Sequence, residues 1–156
     1  MRITEYNVEL SDMETNILVK ERESFYDCFN GDALTTPTEI SNMMKEVFRL
    51  DKKAEEYVYM IAFNTKCKPI GIFEISHGTV NACLCNPREI FIRALLVGAS
   101  SIVMVHNHPS GDCTPSSTDI KCHKRIKSCS DILNVQLLDN VIIGDRYYSF
   151  KENGFL

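Results

Sequence analysis

Apolar residues along the chain recur with two spacings, one typical of strands and one typical of amphipathic helices. Apolar-rich runs of strand length predict strands of a sheet, and the unbroken runs predict burial on both faces. Four stretches have this character: YVYMIAF at 57–63, IGIFEIS at 70–76, SIVMV at 101–105 and VQLLDNVIIGDRYYSF at 135–150. The last is long enough for two strands, which we expect to be joined through Gly144 and Asp145.

Three further segments carry helix signals. Residues 36–39 (TPTE) form a capping box with proline at the first helical position, and apolar residues then repeat at helical spacing to about Leu50. Residues 86–89 (NPRE) repeat this start, with Gly98 as the predicted stop. A charged helix is predicted over 117–129. Because helices alternate with strands, the sequence predicts an α/β fold in which helices flank a mixed sheet.

The first 35 residues carry weaker signals. Tyr6, Val8 and Leu10 alternate with polar residues, and NILVK at 16–20 has the composition of a second short strand. Residues 27–35 contain Asn-Gly-Asp at 30–32, which predicts a turn or loop. We therefore divide the chain into an N-terminal extension (1–35) and an α/β domain (36–156).

Composition and charge narrow the choice of function. With 44% apolar and 24% charged residues, the 156-residue chain has the make-up of a globular protein. Its formal net charge of −4 gives no support to a broad contact with nucleic acid or an anionic membrane. One cationic run is interpreted as a solvated helix face; it contains Lys121, His123, Lys124, Arg125 and Lys127.

The apolar stretches and the cysteines predict where in the cell the protein is located. No apolar stretch is long enough for a transmembrane helix, and polar residues interrupt any signal-peptide pattern near the N-terminus. The seven cysteines have no regular spacing, which favours reduced thiols over a disulfide framework. We therefore expect a cytoplasmic protein with no membrane contact.

The end of the 101–105 strand offers metal ligands. Side chains alternate across a strand, so His106 and His108 are expected on the same side of the sheet. A loop rich in Pro, Ser and Gly then turns the chain back, which puts Asp119 in the first turn of the next helix. Two imidazole nitrogens and one carboxylate oxygen leave a fourth tetrahedral position for water. That arrangement is typical of a catalytic zinc site.

Each part of this pattern also has a simpler interpretation. An H-x-H pair occurs by chance, and Ser116 to Asp119 is itself a capping box, in which the acid would serve the helix backbone. Cys113 in the loop could add a fourth ligand and close the site, which would make it structural. The combination of two histidines, a tight loop and an acid at a helix start favours the open metal site.

The spacing H-x-H-P, six residues, Ser, two residues, Asp looks like the JAMM metalloprotease motif, and here it runs from His106 to Asp119. The wider stretch NPREIFIRALLVGASSIVMVHNHPSGDCTPSSTDI resembles the RadC branch of that superfamily, and the resemblance extends from about Thr36 to the C-terminus. It implies a cytidine-deaminase-like JAB/MPN sandwich.

The resemblance also implies roles for individual residues. His106, His108 and Asp119 would hold a zinc ion, and Ser116 would help to stabilise the oxyanion formed during attack on a carbonyl. An upstream glutamate would accept and return a proton. The family's pattern places it before the first core strand at Glu56. Two alternatives remain, namely the adjacent Glu55 and the more distant Glu74.

The implied reaction is hydrolysis of a peptide or isopeptide bond in a protein or peptide substrate. Two other classes stay open: a metal-binding interaction module without turnover, and an accessory protein of DNA repair. The latter is weakened because 35 residues cannot contain the helix-hairpin-helix module that usually precedes this domain. In LLDNVIIG, Asn140 stands where a histidine is expected, so a contact around the site could differ.

The remaining cysteines and histidines have plainer interpretations. Cys83 and Cys85 are expected to be buried thiols on one strand face. Cys122 and His123 are expected to be exposed on the charged helix, and His77 is expected in a turn without a partner.

Overall fold

The computed structural model describes residues 1–28, 33–78 and 86–156, and its strands form one seven-stranded sheet with the order β2-β1-β4-β3-β5-β6-β7. The strands are β1 (Arg2–Leu10), β2 (Asn16–Phe25), β3 (Glu56–Phe63), β4 (Pro69–Gly78), β5 (Ser101–Asn107), β6 (Gln136–Ile143) and β7 (Tyr147–Ser149). β1 pairs with β4, and β5 with β6, in parallel, whereas the other neighbours are antiparallel. The predicted mixed sheet is confirmed.

Helices cover both faces of this sheet. They are α1 (Pro37–Phe48), α2 (Pro87–Leu96) and α3 (Ser117–Leu133), with a short 3-10 turn at Leu50–Lys52. Alternate residues of β5 define the two faces: Val103 and Val105 pack in the core that contains α1. Ile102 and Met104 pack in the core that contains α2 and α3. β5 is buried along its whole length, and the site extends from its C-terminal end.

The helix starts follow the predicted capping chemistry. The Thr36 side chain accepts from the Glu39 backbone N–H, and the Glu39 carboxylate accepts from the Thr36 N–H at 3.0 Å. α3 begins with the same reciprocal pair, formed by Ser116 and Asp119. It ends at Leu133, beyond the predicted Cys129, where Asn134 adopts a left-handed conformation with a φ of +53°.

The N-terminal segment belongs to the sheet. β1 and β2 form an antiparallel pair, and Glu5 of β1 lies opposite Ile72 of β4. Both predicted short strands are confirmed and are longer than their apolar patterns indicated. Ile3 is fully buried in the α1-side core. The division at residue 35 stays a prediction, and residues 30–32 of the predicted loop lie outside the described residues, as do Cys83 and Cys85.

The prediction for His123 was wrong. Its side chain is buried, with 1% exposed, and its ring stacks on Phe150 with centroids 4.5 Å apart. Its Nε2 lies 3.3 Å from the Phe155 carbonyl, and burial lowers the pKa of His123 below its ordinary value. Cys122 is half-buried and packs against the α2/α3-side core. The C-terminal residues cover this part of α3, which the helix's own charge pattern could not reveal.

The prediction for His77 was also wrong. His77 lies within β4, and its Nδ1 is 2.7 Å from Glu74 Oε1. Its ring stacks on Tyr57 with centroids 5.1 Å apart. Within the three described ranges, no helix is long and apolar enough to cross a membrane.

Candidate metal centre

β5 carries the first histidine directly into the site. The strand continues past the SIVMV run to Asn107, so that His106 is a strand residue with 7% of its surface exposed. Alternation puts His106 on the same side as Ile102 and Met104, the side covered by α2 and α3. At His108 the chain no longer pairs with β3. It remains bonded to β6, because the His108 N–H donates to the Ile143 carbonyl at 2.9 Å.

The loop after His108 returns the chain to the histidines. The Gly111 N–H donates to the His108 carbonyl at 3.0 Å, and the Gly111 carbonyl accepts from the Asp145 N–H at 2.8 Å. Gly111 has a φ of +85°, a conformation that glycine adopts without strain. The loop is therefore held to the β6–β7 turn, and α3 starts with its first turn beside the histidines.

Three side chains converge there, as their spacing predicted. One potential ligand atom from each of His106, His108 and Asp119 lies within 4.8 Å of the other two. Asp119 Oδ1 is 3.4 Å from His106 Nε2, and Asp119 Oδ2 is 3.6 Å from His108 Nε2. A charge-assisted hydrogen bond would be shorter, whereas tetrahedral ligands at zinc-like bond lengths are about 3.3 Å apart. The 3.4 Å separation of Asp119 Oδ1 from His106 Nε2 fits two ligands of one ion.

Asp119 serves both the helix and the site. Its Oδ2 accepts from the Ser116 N–H at 2.7 Å and from the Ser116 hydroxyl at 2.6 Å. Its Oδ1 is the atom nearer to His106. The capping and ligand interpretations are therefore compatible, because a carboxylate has two oxygens and the cap orients the second one.

The histidine nitrogens are also arranged for a ligand. His108 Nδ1 lies 2.7 Å from the Asp112 carbonyl, which can only accept, so Nδ1 carries the proton and the Nε2 lone pair is available. His106 Nε2 is buried and has no hydrogen-bond partner among the described residues. An unsatisfied buried nitrogen is costly unless a ligand completes it. The donor set thus fits a metal ion.

The charges in this group shift one another's pKa values. The contact with Asp119 raises the pKa of His108 more than burial lowers it. Burial alone would raise the pKa of Asp119, but its contacts with His106, His108 and Ser116 hold that pKa far below its usual range. Asp119 is therefore a permanent carboxylate, which is the form that binds metals.

Glu56 lies on the side of the sheet that carries the histidines. It is the first residue of β3, and Val58, two residues on, pairs with His106. Strand alternation gives Glu56 and Val58 the same face. Burial raises the pKa of Glu56, while the charges of His108 and His106 lower it, so the carboxyl group lies within electrostatic reach of the site.

The two alternative glutamates are placed differently. Glu55 is exposed and precedes the strand. Glu74 accepts a hydrogen bond from the Tyr59 hydroxyl at 3.1 Å, and Tyr59 packs in the α1-side core. Glu74 thus lies across the sheet from His106. Which glutamate acts as the base stays a prediction, with Glu56 favoured by its position.

Comparison with known proteins agrees with the motif and the fold. The model of the RadC-like JAB domain matches residues 34–155. The chain belongs to the RadC-like JAB domain family. One relative, a UPF0758 protein of Clostridium acetobutylicum, is 40% identical over 137 residues, which is 87% of this chain and 59% of that protein. Another, a UPF0758 protein of Caldanaerobacter subterraneus subsp. tengcongensis, is 43% identical over 124 residues, which is 79% of this chain and 52% of that protein.

These relatives are longer than the domain described above. The chain spans little more than half of each, so the similarity concerns the RadC-like JAB domain alone. The names of these relatives state no activity.

Two other predicted contacts of this RadC-like JAB domain can be placed. Cys113 is half-buried and does not belong to the ligand group, so far as the described residues show. Asn140 is buried and pairs with Met104. The pair formed by His106 and Ile142 lies two residues further along the same two strands. Its role in the site stays a prediction.

Sequence patterns missed two supports of the RadC-like site. The local pattern assigned no role to Asn107, yet its side chain bonds to the backbone at the start of β3. Gly144 was considered only as a turn residue. A Cβ at this position would lie 2.2 Å from the Gly111 carbonyl oxygen. An asparagine at a buried strand end was the available signal for Asn107; no local signal marked the approach of Gly144.

Substitution of Gly144 by alanine is expected to weaken binding of a divalent metal by about 10–100-fold, the range typical of changes in groups that orient ligands. The added methyl group would push the loop away because the obstructing atom belongs to the backbone. Gly154→Ala is the control: nothing lies within 4 Å of its Cβ position, and its positive φ of +78° adds backbone strain away from the site. Metal titration of both variants measures the effect, and unchanged affinity in G144A would contradict it.

Proposed function

We propose that this domain is a zinc-dependent hydrolase of the JAMM type that cleaves a peptide or isopeptide bond. The observation that carries the proposal is the group of two imidazole nitrogens and one carboxylate, in which Asp119 Oδ1 lies 3.4 Å from His106 Nε2 and Asp119 Oδ2 lies 3.6 Å from His108 Nε2. A half-buried glutamate on the same side of the sheet adds the acid–base group that hydrolysis requires.

The donor set favours zinc. His106 and His108 would supply Nε2 atoms and Asp119 its Oδ1, which is the mixture of three protein ligands found in catalytic zinc sites. When bound, zinc supplies Lewis acidity and lowers the pKa of a water from ~15.7 to about 7. The described residues contribute three ligands to this group, so a fourth position is left for water or substrate.

Glu56 has the position and environment of a general base. Its carboxylate would accept a proton from the attacking water and return it to the leaving amine. Burial raises the pKa of Glu56, which brings it nearer to the neutral range in which such transfers are efficient. The charges of His108 and His106 act in the opposite direction and lower that pKa.

Ser116 is assigned two tasks. Its hydroxyl donates to Asp119 Oδ2, so its first task is to orient that carboxylate. Donation to a developing oxyanion requires the hydroxyl to rotate. Asp119 Oδ2 then keeps the bond from the Ser116 N–H. Loss of an oxyanion donor typically raises the barrier by about 3–4 kcal/mol.

The expected substrate is a protein or peptide, because the leaving group in this chemistry is an amine. A cytoplasmic location stays a prediction that accompanies it.

The decisive experiment is metal reconstitution followed by a hydrolysis screen. Purified protein should bind about one zinc per chain, as expected for one group of three ligands, and should cleave members of a peptide and lysine-isopeptide library. A chelator should abolish cleavage, and added zinc should restore it. Protein that cannot be loaded with zinc contradicts the metal assignment, whereas loaded protein without cleavage supports the metal-binding interaction module instead.

A further inference from the structure

Asn107 lies between the two proposed histidine ligands, and its side chain points to neither. It is buried, with 2% of its surface exposed. Its Nδ2 donates to the Glu55 carbonyl at 3.0 Å, and its Oδ1 accepts from the Tyr57 N–H at 2.8 Å. Both partners are backbone groups at the start of β3, which lies beside β5 in the sheet: Glu55 directly precedes the strand and Tyr57 is its second residue.

These bonds occur where the backbone pairing of the two strands stops. The register of β3 and β5 runs from Phe63 opposite Ser101 to Val58 opposite His106. Beyond that pair, the next residue on β5, Asn107, pairs with Ile143 of β6. A carboxamide has the same donor and acceptor as a peptide group. The side chain of Asn107 therefore takes the place of a backbone partner as the strands separate.

The residue held between the two bonds is Glu56. The Glu55 carbonyl belongs to the peptide plane before Glu56, and the Tyr57 N–H belongs to the plane after it. A residue's φ and ψ are the rotations between these two rigid planes. Since one planar carboxamide holds both planes, it restrains both dihedral angles of Glu56 and with them the direction of its Cα–Cβ bond.

We propose that Asn107 is a positioning residue that holds Glu56 toward the group formed by His106, His108 and Asp119. This inference rests on the proposed function, in which Glu56 is the general base. Asn107 links the two parts of the site. The proposed ligands His106 and His108 flank it in the chain, and its side chain restrains the proposed base, Glu56. On the other side of β3, Glu56 pairs only with Gly78, the last residue of β4.

Asn107→Ala tests this role, with Asn64→Ala as the matched control. Asn64 follows the opposite end of β3, and its side chain also makes two bonds to backbone groups, the N–H groups of Lys66 and Lys68. A purely structural asparagine and a positioning asparagine both affect stability. They differ in what happens to Glu56.

The first measurement is hydrogen exchange of the Tyr57 amide in metal-free protein. Exchange should be faster by at least about tenfold in N107A, because the amide loses its acceptor, and unchanged in N64A. The second uses cobalt(II), whose visible absorption reports its coordination at zinc sites. N107A should bind one cobalt per chain and show the same spectral change as Glu56→Gln, while N64A matches the wild type.

Several results would overturn the proposal. They are an unchanged Tyr57 amide in N107A, a wild-type cobalt spectrum in N107A, or a Glu56→Gln spectrum identical to wild type. Wild-type protein that binds no metal overturns the proposed function instead, and the amide measurement still reports separately on the bonds of Asn107. If N107A does not fold, Asn107→Asp retains the acceptor and the volume. It should keep the Tyr57 amide protected and release the Glu55 carbonyl, seen as a shifted Glu56 amide resonance; an unshifted resonance would count against the proposal.

Discussion

Replacement of Asp119 by alanine is expected to reduce zinc affinity by more than about 100-fold, so that purified protein no longer holds stoichiometric metal. Changes in groups that merely orient a ligand cost about 10–100-fold, and loss of the ligand itself should exceed that range. The substitution leaves the two imidazoles without the carboxylate whose Oδ1 lies 3.4 Å from His106 Nε2 and whose Oδ2 lies 3.6 Å from His108 Nε2. Calorimetric titration with zinc, together with metal analysis of the purified protein, measures the change.

The control must separate the effect of losing a metal ligand from the effect of losing a helix cap, because Asp119 also completes the capping box of α3. Glu39→Ala removes the equivalent acid from the capping box of α1. Both variants should lose about 1 kcal/mol of unfolding free energy, the usual contribution of a cap. E39A should keep wild-type zinc affinity. An Asp119→Ala protein that binds zinc within about tenfold of wild type would show that Asp119 is not a ligand.

Substitution of Glu56 by glutamine is expected to leave zinc binding stoichiometric and to lower the rate of hydrolysis by about 10²–10⁴-fold. Glutamine preserves the size and most of the polarity of the side chain but cannot accept a proton from water. The zinc affinity should change little, since Glu56 is not a member of the ligand group. Single-turnover hydrolysis of a substrate found in the library screen, measured beside metal content, tests both parts.

Two neighbouring substitutions make this test specific. Glu55→Gln alters an exposed residue, and Glu74→Gln alters a carboxylate bonded to the Tyr59 hydroxyl across the sheet. Both should keep hydrolysis within a few-fold of wild type, because neither carboxylate shares the face of the histidines. Loss of activity in E55Q with retention in E56Q would transfer the base to the adjacent residue.

Local patterns predicted much of this structure because many of the deciding interactions are local. The capping box of α1 involves residues three apart, and that of α3 is built in the same way. The proposed metal ligands are separated by one short loop, so a strand end and the next helix start bring them together without information from the rest of the chain. The proposed ligand group was therefore predictable from His106, His108 and Asp119 alone.

The errors involve partners distant in sequence. His123 faces the Phe155 carbonyl, 32 positions away, so a helix whose charges predicted exposure turned out to have a buried histidine. His77 was expected in a turn, but β4 extends to Gly78. The pairing of β4 with β3 includes His77 in the strand. Hydrophobic periodicity indicates which side chains of a segment are buried. It does not identify the distant segment that buries them.

By itself, the sequence determined the α/β class, the family and the run from His106 to Asp119 as the candidate metal site. Only the tertiary structure placed Glu56 on the face of that site and joined the backbone on either side of it to Asn107. Alternation along a strand assigns each side chain to a face, but the level of Glu56 relative to His106 depends on the register of β3 against β5. The bonds of Asn107 join positions 50 and 52 residues apart, and they form because the sheet places these two strand ends side by side.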